Sequence, residues 1–292
     1  MRQPIVAGRF YAGAPCACLA HLQRVDVSPE EAVSPKEHPV AAIVPHAGWD
    51  CSGRVAMKVY RALQPHVAPG TTFVLFGSVH SYGVPRAGVY SRAGWDTPLG
   101  PLAVDEELAA KVLQACGKCA IDDPSAHGSE HSIEVQLPML RYVFGEVRMV
   151  PIAAPPRDEM PQVGRCVVGA AQALGRPIVV IGTTDMTHYG AIGYGFAPAG
   201  PGKAGLDWVK RENDPRMLRL MESLRADAVI DEARTHQNAC GAGAVAATLA
   251  AAQALGSDGG KLVEYTTSYD VLRDTVYGGQ IGDFVGYAGM IF

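Results

Sequence analysis

Ala41-Ala42-Ile43-Val44 runs straight into Pro45-His46-Ala47-Gly48-Trp49. The first four residues are apolar without polar alternation, as in a strand buried on both faces, and a metal-competent histidine follows two residues after the run ends. The arrangement recurs. Thr72-Phe73-Val74-Leu75-Phe76 leads into Gly77-Ser78-Val79-His80, and Pro177-Ile178-Val179-Val180-Ile181 leads through Gly182-Thr183-Thr184 to Asp185-Met186-Thr187-His188. In open α/β sheets ligands bind beyond the carboxyl ends of the strands, so three separate stretches are expected to deliver a histidine to one edge.

Outward from these runs, residues 148–152 read as a further strand, and helical periodicity is expected over 53–63, 105–116, 133–144, 160–174, 214–224 and 241–255. Strands alternating with helices predict an α/β fold, a mainly parallel sheet flanked by helices. The last forty or so residues change character: 261–267 and 283–291 read as antiparallel C-terminal strands separated by Asp-, Tyr- and Gly-rich turns. No repeat, low-complexity tract or long linker interrupts the chain. Residues 27–38 and 197–205 are loops by composition, and a single domain over 1–292 is the simplest organisation.

Of the 292 residues, 48% are hydrophobic and 18% charged, ample for a core. The formal net charge is −4 and the basic residues are scattered, which disfavours nucleic acid and anionic membrane as partners. The opening Met1-Arg2-Gln3-Pro4-Ile5 lacks an apolar signal region, so a cytoplasmic protein is expected. Residues 239–256 carry no charge but are Ala/Gly-rich and contain Gln253, which suits a buried helix better than a membrane span. The seven cysteines are an odd number. Cys16/Cys18 and Cys116/Cys119 lack the second pair of a zinc ribbon, so most read as reduced, small apolar residues.

His46 and His80, taken singly, could each be satisfied by backbone at a strand end. Together, on adjacent strand ends, they can hold a divalent ion if a third donor completes the face. Cys240 is the candidate: in Asn238-Ala239-Cys240-Gly241-Ala242-Gly243 it precedes a glycine-rich helix start, where the helix dipole favours a thiolate. His188 would approach from a loop as acid or base, with Asp185 orienting it. His131, in Glu130-His131-Ser132-Ile133-Glu134, is expected as a lining residue. Glu130 and Glu134 could serve a helix N-terminus as readily as touch substrate. Trp49, Tyr82 and Tyr189 are further pocket-lining candidates suited to a flat or amphipathic ligand. Phosphate-loop, dinucleotide, His-Glu-x-x-His and nucleophile-elbow motifs are absent.

These residues carry a resemblance. Pro45 to Trp49 with Ser52-Gly53, Gly77 to His80, Glu130 to Glu134 with Leu137-Pro138, Asp185 to His188, and Cys240-Gly241 resemble, in order and spacing, the Memo family. The likeness extends from Ala7-Gly8-Arg9-Phe10-Tyr11 to Tyr287-Ala288. In prokaryotes such proteins form the B component of a three-part set with a radical-SAM protein and an AMMECR-type protein, which the resemblance implies as partners. It also implies a fold similar to class III extradiol dioxygenases, non-haem Fe(II) enzymes. His46, His80 and Cys240 would then be the metal ligands, and His188 would stand at the place of the catalytic base. The chain departs from the family at Ser81, where some members carry a second histidine. It departs from the dioxygenases at Cys240, which replaces a carboxylate with a softer ligand that also suits copper or zinc.

The expected activity is therefore a metal-dependent oxidoreductase using Fe(II) or copper on a small-molecule ligand. Two alternatives use the same pocket. One is a non-catalytic protein binding a peptide or partner, in keeping with the phosphopeptide-like ligands linked to eukaryotic relatives, although only Arg54 and Arg86 stand near His46 and His80 in sequence. The other is a zinc-dependent hydrolase.

Overall fold

The computed structural model describes residues 1–28, 38–81 and 83–292. Most of the expected 27–38 loop, and Tyr82, lie outside them.

Eleven strands form the sheet: β1 (Ala41–Val44), β2 (Thr72–Gly77), β3 (Ala87–Val89), β4 (Gly94–Trp95), β5 (Leu102–Val104), β6 (Ala120–Asp122), β7 (Arg148–Ala153), β8 (Ile178–Thr183), β9 (His188–Tyr189), β10 (Lys261–Thr267) and β11 (Phe284–Ile291). The order through the main path is β10-β11-β1-β8-β2-β7-β3-β6. Its centre, β1-β8-β2-β7, is parallel. β11 adds antiparallel to β1, and β10 antiparallel to β11, as the C-terminal sequence pattern requires. The apolar run of each central strand is buried throughout, with only Arg148 exposed and Ile178 half-buried at the strand starts.

Among the described residues ten α-helices accompany it: α1 (Pro15–Val25), α2 (Trp49–Leu63), α3 (Glu106–Cys116), α4 (Leu137–Phe144), α5 (Met160–Ala173), α6 (Lys203–Trp208), α7 (Asp214–Glu222), α8 (Val229–His236), α9 (Ala242–Ala254) and α10 (Ser268–Leu272). α2 packs on β1, β10 and β11 and gathers α1 and α4, whereas α9 packs on β8, β1 and β2 and is backed by α5, with α3 beyond. α9 is buried along nearly its whole length, which accounts for its membrane-like composition. No helix among the described residues is long and apolar enough to cross a membrane.

Three sequence expectations shift in detail. Residues 133–144 split into a 3₁₀ turn, Glu134–Gln136, followed by α4, whose start accommodates Pro138 because the first turn has no intrahelical N–H to lose. The loop expected over 197–205 is shortened by α6, and α2 begins at Trp49 instead of residue 53.

The register fixes what matters for function. Val44 pairs with Thr183, Phe76 with Gly182 and Gly77 with Ala153, so β1, β2, β7 and β8 end level with one another. The segments that follow, carrying His46, His80 and Asp185 to His188, emerge side by side.

Candidate metal centre

Asp185, just past β8, ties the segment after β1 to the segment before α9. Its Oδ1 accepts the His46 backbone N–H at 2.8 Å, its own N–H donates to Cys240 Sγ at 3.3 Å, and its carbonyl accepts the Cys240 N–H at 3.2 Å. Gly241 permits this approach: a Cβ there would lie 2.1 Å from Thr183 O. Burial pushes the Asp185 carboxyl up, against the neighbouring His188 charge and the backbone donors. Among the described residues no hydrogen bond joins the Asp185 carboxylate to His188, which it was expected to orient; the two meet through charge. The His188 Nδ1–H instead donates to Met186 O at 3.1 Å, because a carbonyl can only accept.

Cys240 Sγ stands 3.2 Å from His46 Nε2, and His80 also acts to lower its thiol. Ligand-capable nitrogens of His46, His80 and His131 lie within 4.8 Å of one another. The His80 and His131 rings stack at 4.9 Å and 17°, and His46 meets His80 edge-on at 5.2 Å. His131, expected only to line the pocket, therefore belongs to the donor cluster, so His46, His80, His131 and Cys240 converge from four chain segments.

The protonation pattern follows from burial and contacts. Burial alone would raise the Cys240 thiol, but the charge and hydrogen bond of His46 and the hydrogen bond of His80 outweigh it and bring it down to about 6. The two imidazoles achieve what the sequence attributed to a helix dipole. His80 is opposed by burial yet carried up to about 10 by Cys240 and Glu130. Burial and the charge of His46 lower His131 to about 4, which keeps it in the neutral, ligating form. His46 Nδ1 is buried without a hydrogen-bond partner.

Next to Cys240 a cleft of about 300 Å³ is lined by His188, Tyr194, Phe196, Ala233, Gln237 and Ala239. With Nδ1 committed to Met186, His188 keeps Nε2 available to take a proton. A larger cavity, about 610 Å³, lies at the opposite end of the sheet around Val40, Leu255 and Phe292, remote from the donors.

Trp49 and Tyr189 do not line the cleft. Trp49 is 2% exposed, donates Nε1–H to Val135 O at 3.0 Å and stacks on Tyr11. Tyr189 packs against Leu206, Val209 and Phe284, and its hydroxyl donates to Gly200 O at 2.7 Å. Neighbours on a strand point to opposite sides, so His188 reaching the cleft turns Tyr189 into the core. Cys51 packs beside Val55, Val285 and Tyr287. Sequence reading missed Tyr194 and Phe196, because short aromatic loops carry no period. It also missed the reach of Glu130, whose adjacency to His131 hinted at a carboxylate–histidine pair but not at its partner fifty residues away.

The α/β sheet and this cluster of three histidines, with Cys240 against His46, define a protein that could hold a metal ion at the carboxyl edge of its strands. The chain belongs to the Memo family: the model described as "Memo-like protein" matches residues 2–291. It is similar to a MEMO1 family protein of Pyrococcus abyssi, 35% identical with 100% of this chain and 99% of that protein covered. A MEMO1 family protein of Methanosarcina acetivorans is 36% identical, with 100% and 98% covered. Among solved structures, an uncharacterized protein from Escherichia coli K12 shares the fold, with a TM-score of 0.51 over 88% of this chain and 100% of that one at 13% identity.

Proposed function

We propose that the protein is a metal-dependent oxidoreductase acting on a small molecule, with His46, His80 and Cys240 holding Fe(II) or copper and His131 as a fourth donor in reach. The observation that supports this most is a cluster of three histidines with a thiolate-prone cysteine 3.2 Å from one of them, His46. The chemistry of the donors fits: neutral imidazole and thiolate suit iron, copper and zinc and disfavour magnesium or calcium. The orphaned His46 Nδ1 adds a buried polar atom with an unmet need. Such an ion would supply a redox change and a place for O₂ or substrate.

The protein's own contributions are separate. His188 takes a proton at Nε2 from a ligand lying in the adjoining cleft, since Nδ1 is held by Met186. Tyr194 and Phe196 provide apolar walls for a ring or chain. Were all four donors to bind, a tetrahedral zinc site would be closed, whereas an ion taking six ligands would keep positions for O₂ or substrate.

Protein loaded anaerobically with Fe(II) and then given O₂ and a reductant, followed with an oxygen electrode, tests the reading. Uptake above that of the same iron free in solution, lost in Cys240→Ser, is expected. Uptake no greater than that of zinc-loaded protein would overturn it and favour a hydrolase. Metal-independent capture of a peptide would favour the binding alternative.

A further inference from the structure

Glu130 is 2% exposed, yet its carboxylate makes no bond to lysine or arginine among the described residues. Instead it gathers the site. Oε2 accepts the His80 backbone N–H at 2.9 Å. Oε1 accepts the backbone N–H groups of His131 and Ser132, each at 2.8 Å. Both oxygens stand 3.1 Å from His80 Nδ1. A buried carboxylate accepts only, so in the neutral, ligating form of His80 the proton is on Nδ1 and the lone pair on Nε2. The same two oxygens join the end of β2 to the turn bearing His131, holding the two rings in their stack. Glu134, one turn on, is as buried but faces elsewhere: it accepts from Arg2, the backbone N–H groups of Ile5 and Val6, and the Tyr11 hydroxyl.

We propose that Glu130 is a positioning residue for the metal centre, one that selects the His80 tautomer able to ligate through Nε2 and sets His131 beside it. The inference rests on the metal-site reading above. A glutamine at this place would turn an NH₂ toward the His80 backbone N–H or toward Nδ1. In the second case Nδ1 must accept, the proton moves to Nε2, and the Nε2 lone pair needed for ligation is gone. Carboxylates that orient ligating histidines typically matter by about 10–100-fold in metal affinity.

Titration of the purified full-length chain with Co(II), read by its thiolate-to-metal absorption, compares wild type, Glu130→Gln and Glu134→Gln, with melting of the metal-free proteins alongside. Glu130→Gln is expected to weaken Co(II) binding about 10–100-fold. Glu134→Gln is expected to lower the melting temperature and leave the affinity near wild type. Equal affinities for wild type and Glu130→Gln would overturn the inference while leaving the metal site standing; no Co(II) binding by wild type would remove the site reading and this inference with it. Should Glu130→Gln not fold, nitrogen-15 NMR of the zinc-loaded wild type decides: coordination of His80 through Nε2 with a proton retained on Nδ1 is expected, and coordination through Nδ1 would contradict it.

Discussion

Cys240 sits where two imidazoles stabilise its charged form against the cost of burial. A thiol whose value falls to about 6 from an ordinary 9.0 is ionised above that pH and protonated below it, so its reactivity should rise through the lower value. Alkylation of the metal-free protein, quantified at Cys240 by mass spectrometry across pH, is expected to show a midpoint near about 6, and His46→Ala should move that midpoint upward. A midpoint near the ordinary thiol value would contradict the contact geometry. At this scale the sequence was informative in type and silent in direction. His46, His80 and Cys240 were recognisable because each follows an apolar run or precedes a glycine-rich helix start. Asp185 was recognisable as polar and near, but only the folded backbone shows it bonding to the His46 N–H and leaving His188 to Met186. Trp49 and Tyr189 were legible as large aromatics beside the site, yet which way each ring points is decided by its place in α2 or β9.

Elements set the tolerance of the site. The start of α9 reaches the ends of β7 and β8 only because Gly241 and Gly243 lack side chains: a Cβ at Gly243 would fall 2.2 Å from Pro155 O. Farther along, Gly164 of α5 lets the two helices close, since a Cβ there would come 2.0 Å from Ala247 O. Overpacking of this kind costs about 1–3 kcal/mol. Gly241→Ala is therefore expected to lower stability by that order in denaturant unfolding and to displace Cys240, with metal affinity falling well beyond what the stability loss explains; unchanged affinity would mean that Cys240 is not held in place by this approach. The central strands and α9 were readable from the sequence because they bury unbroken apolar runs. β3 to β6 were not, being two or three residues long with no period to detect. α1 escaped despite Cys18, Leu22 and Val25 on one buried face, because a lysine-free, cysteine-rich run resembles neither helix template strongly. Parallel pairing aligns the carboxyl ends of β1, β2 and β8, and that alignment turns three unrelated segments into one site.

The molecule as a whole places its histidine cluster at one end of the sheet, next to an aromatic-walled cleft, with the larger cavity at the other end. The Memo-like sequence extends through residues 2–291, and contacts tie its two ends into the fold, from Arg2 on Glu134 to β11 beside β1. The proposed redox metal centre at this edge requires a bound metal ion. Its most direct test is elemental analysis of protein purified without oxygen, run in parallel on wild type, His46→Ala, His80→Ala and Cys240→Ser. Near-stoichiometric iron or copper in the wild type, lost in all three variants, is the expected result. Metal-free wild type, or metal retained by the variants, would contradict the account.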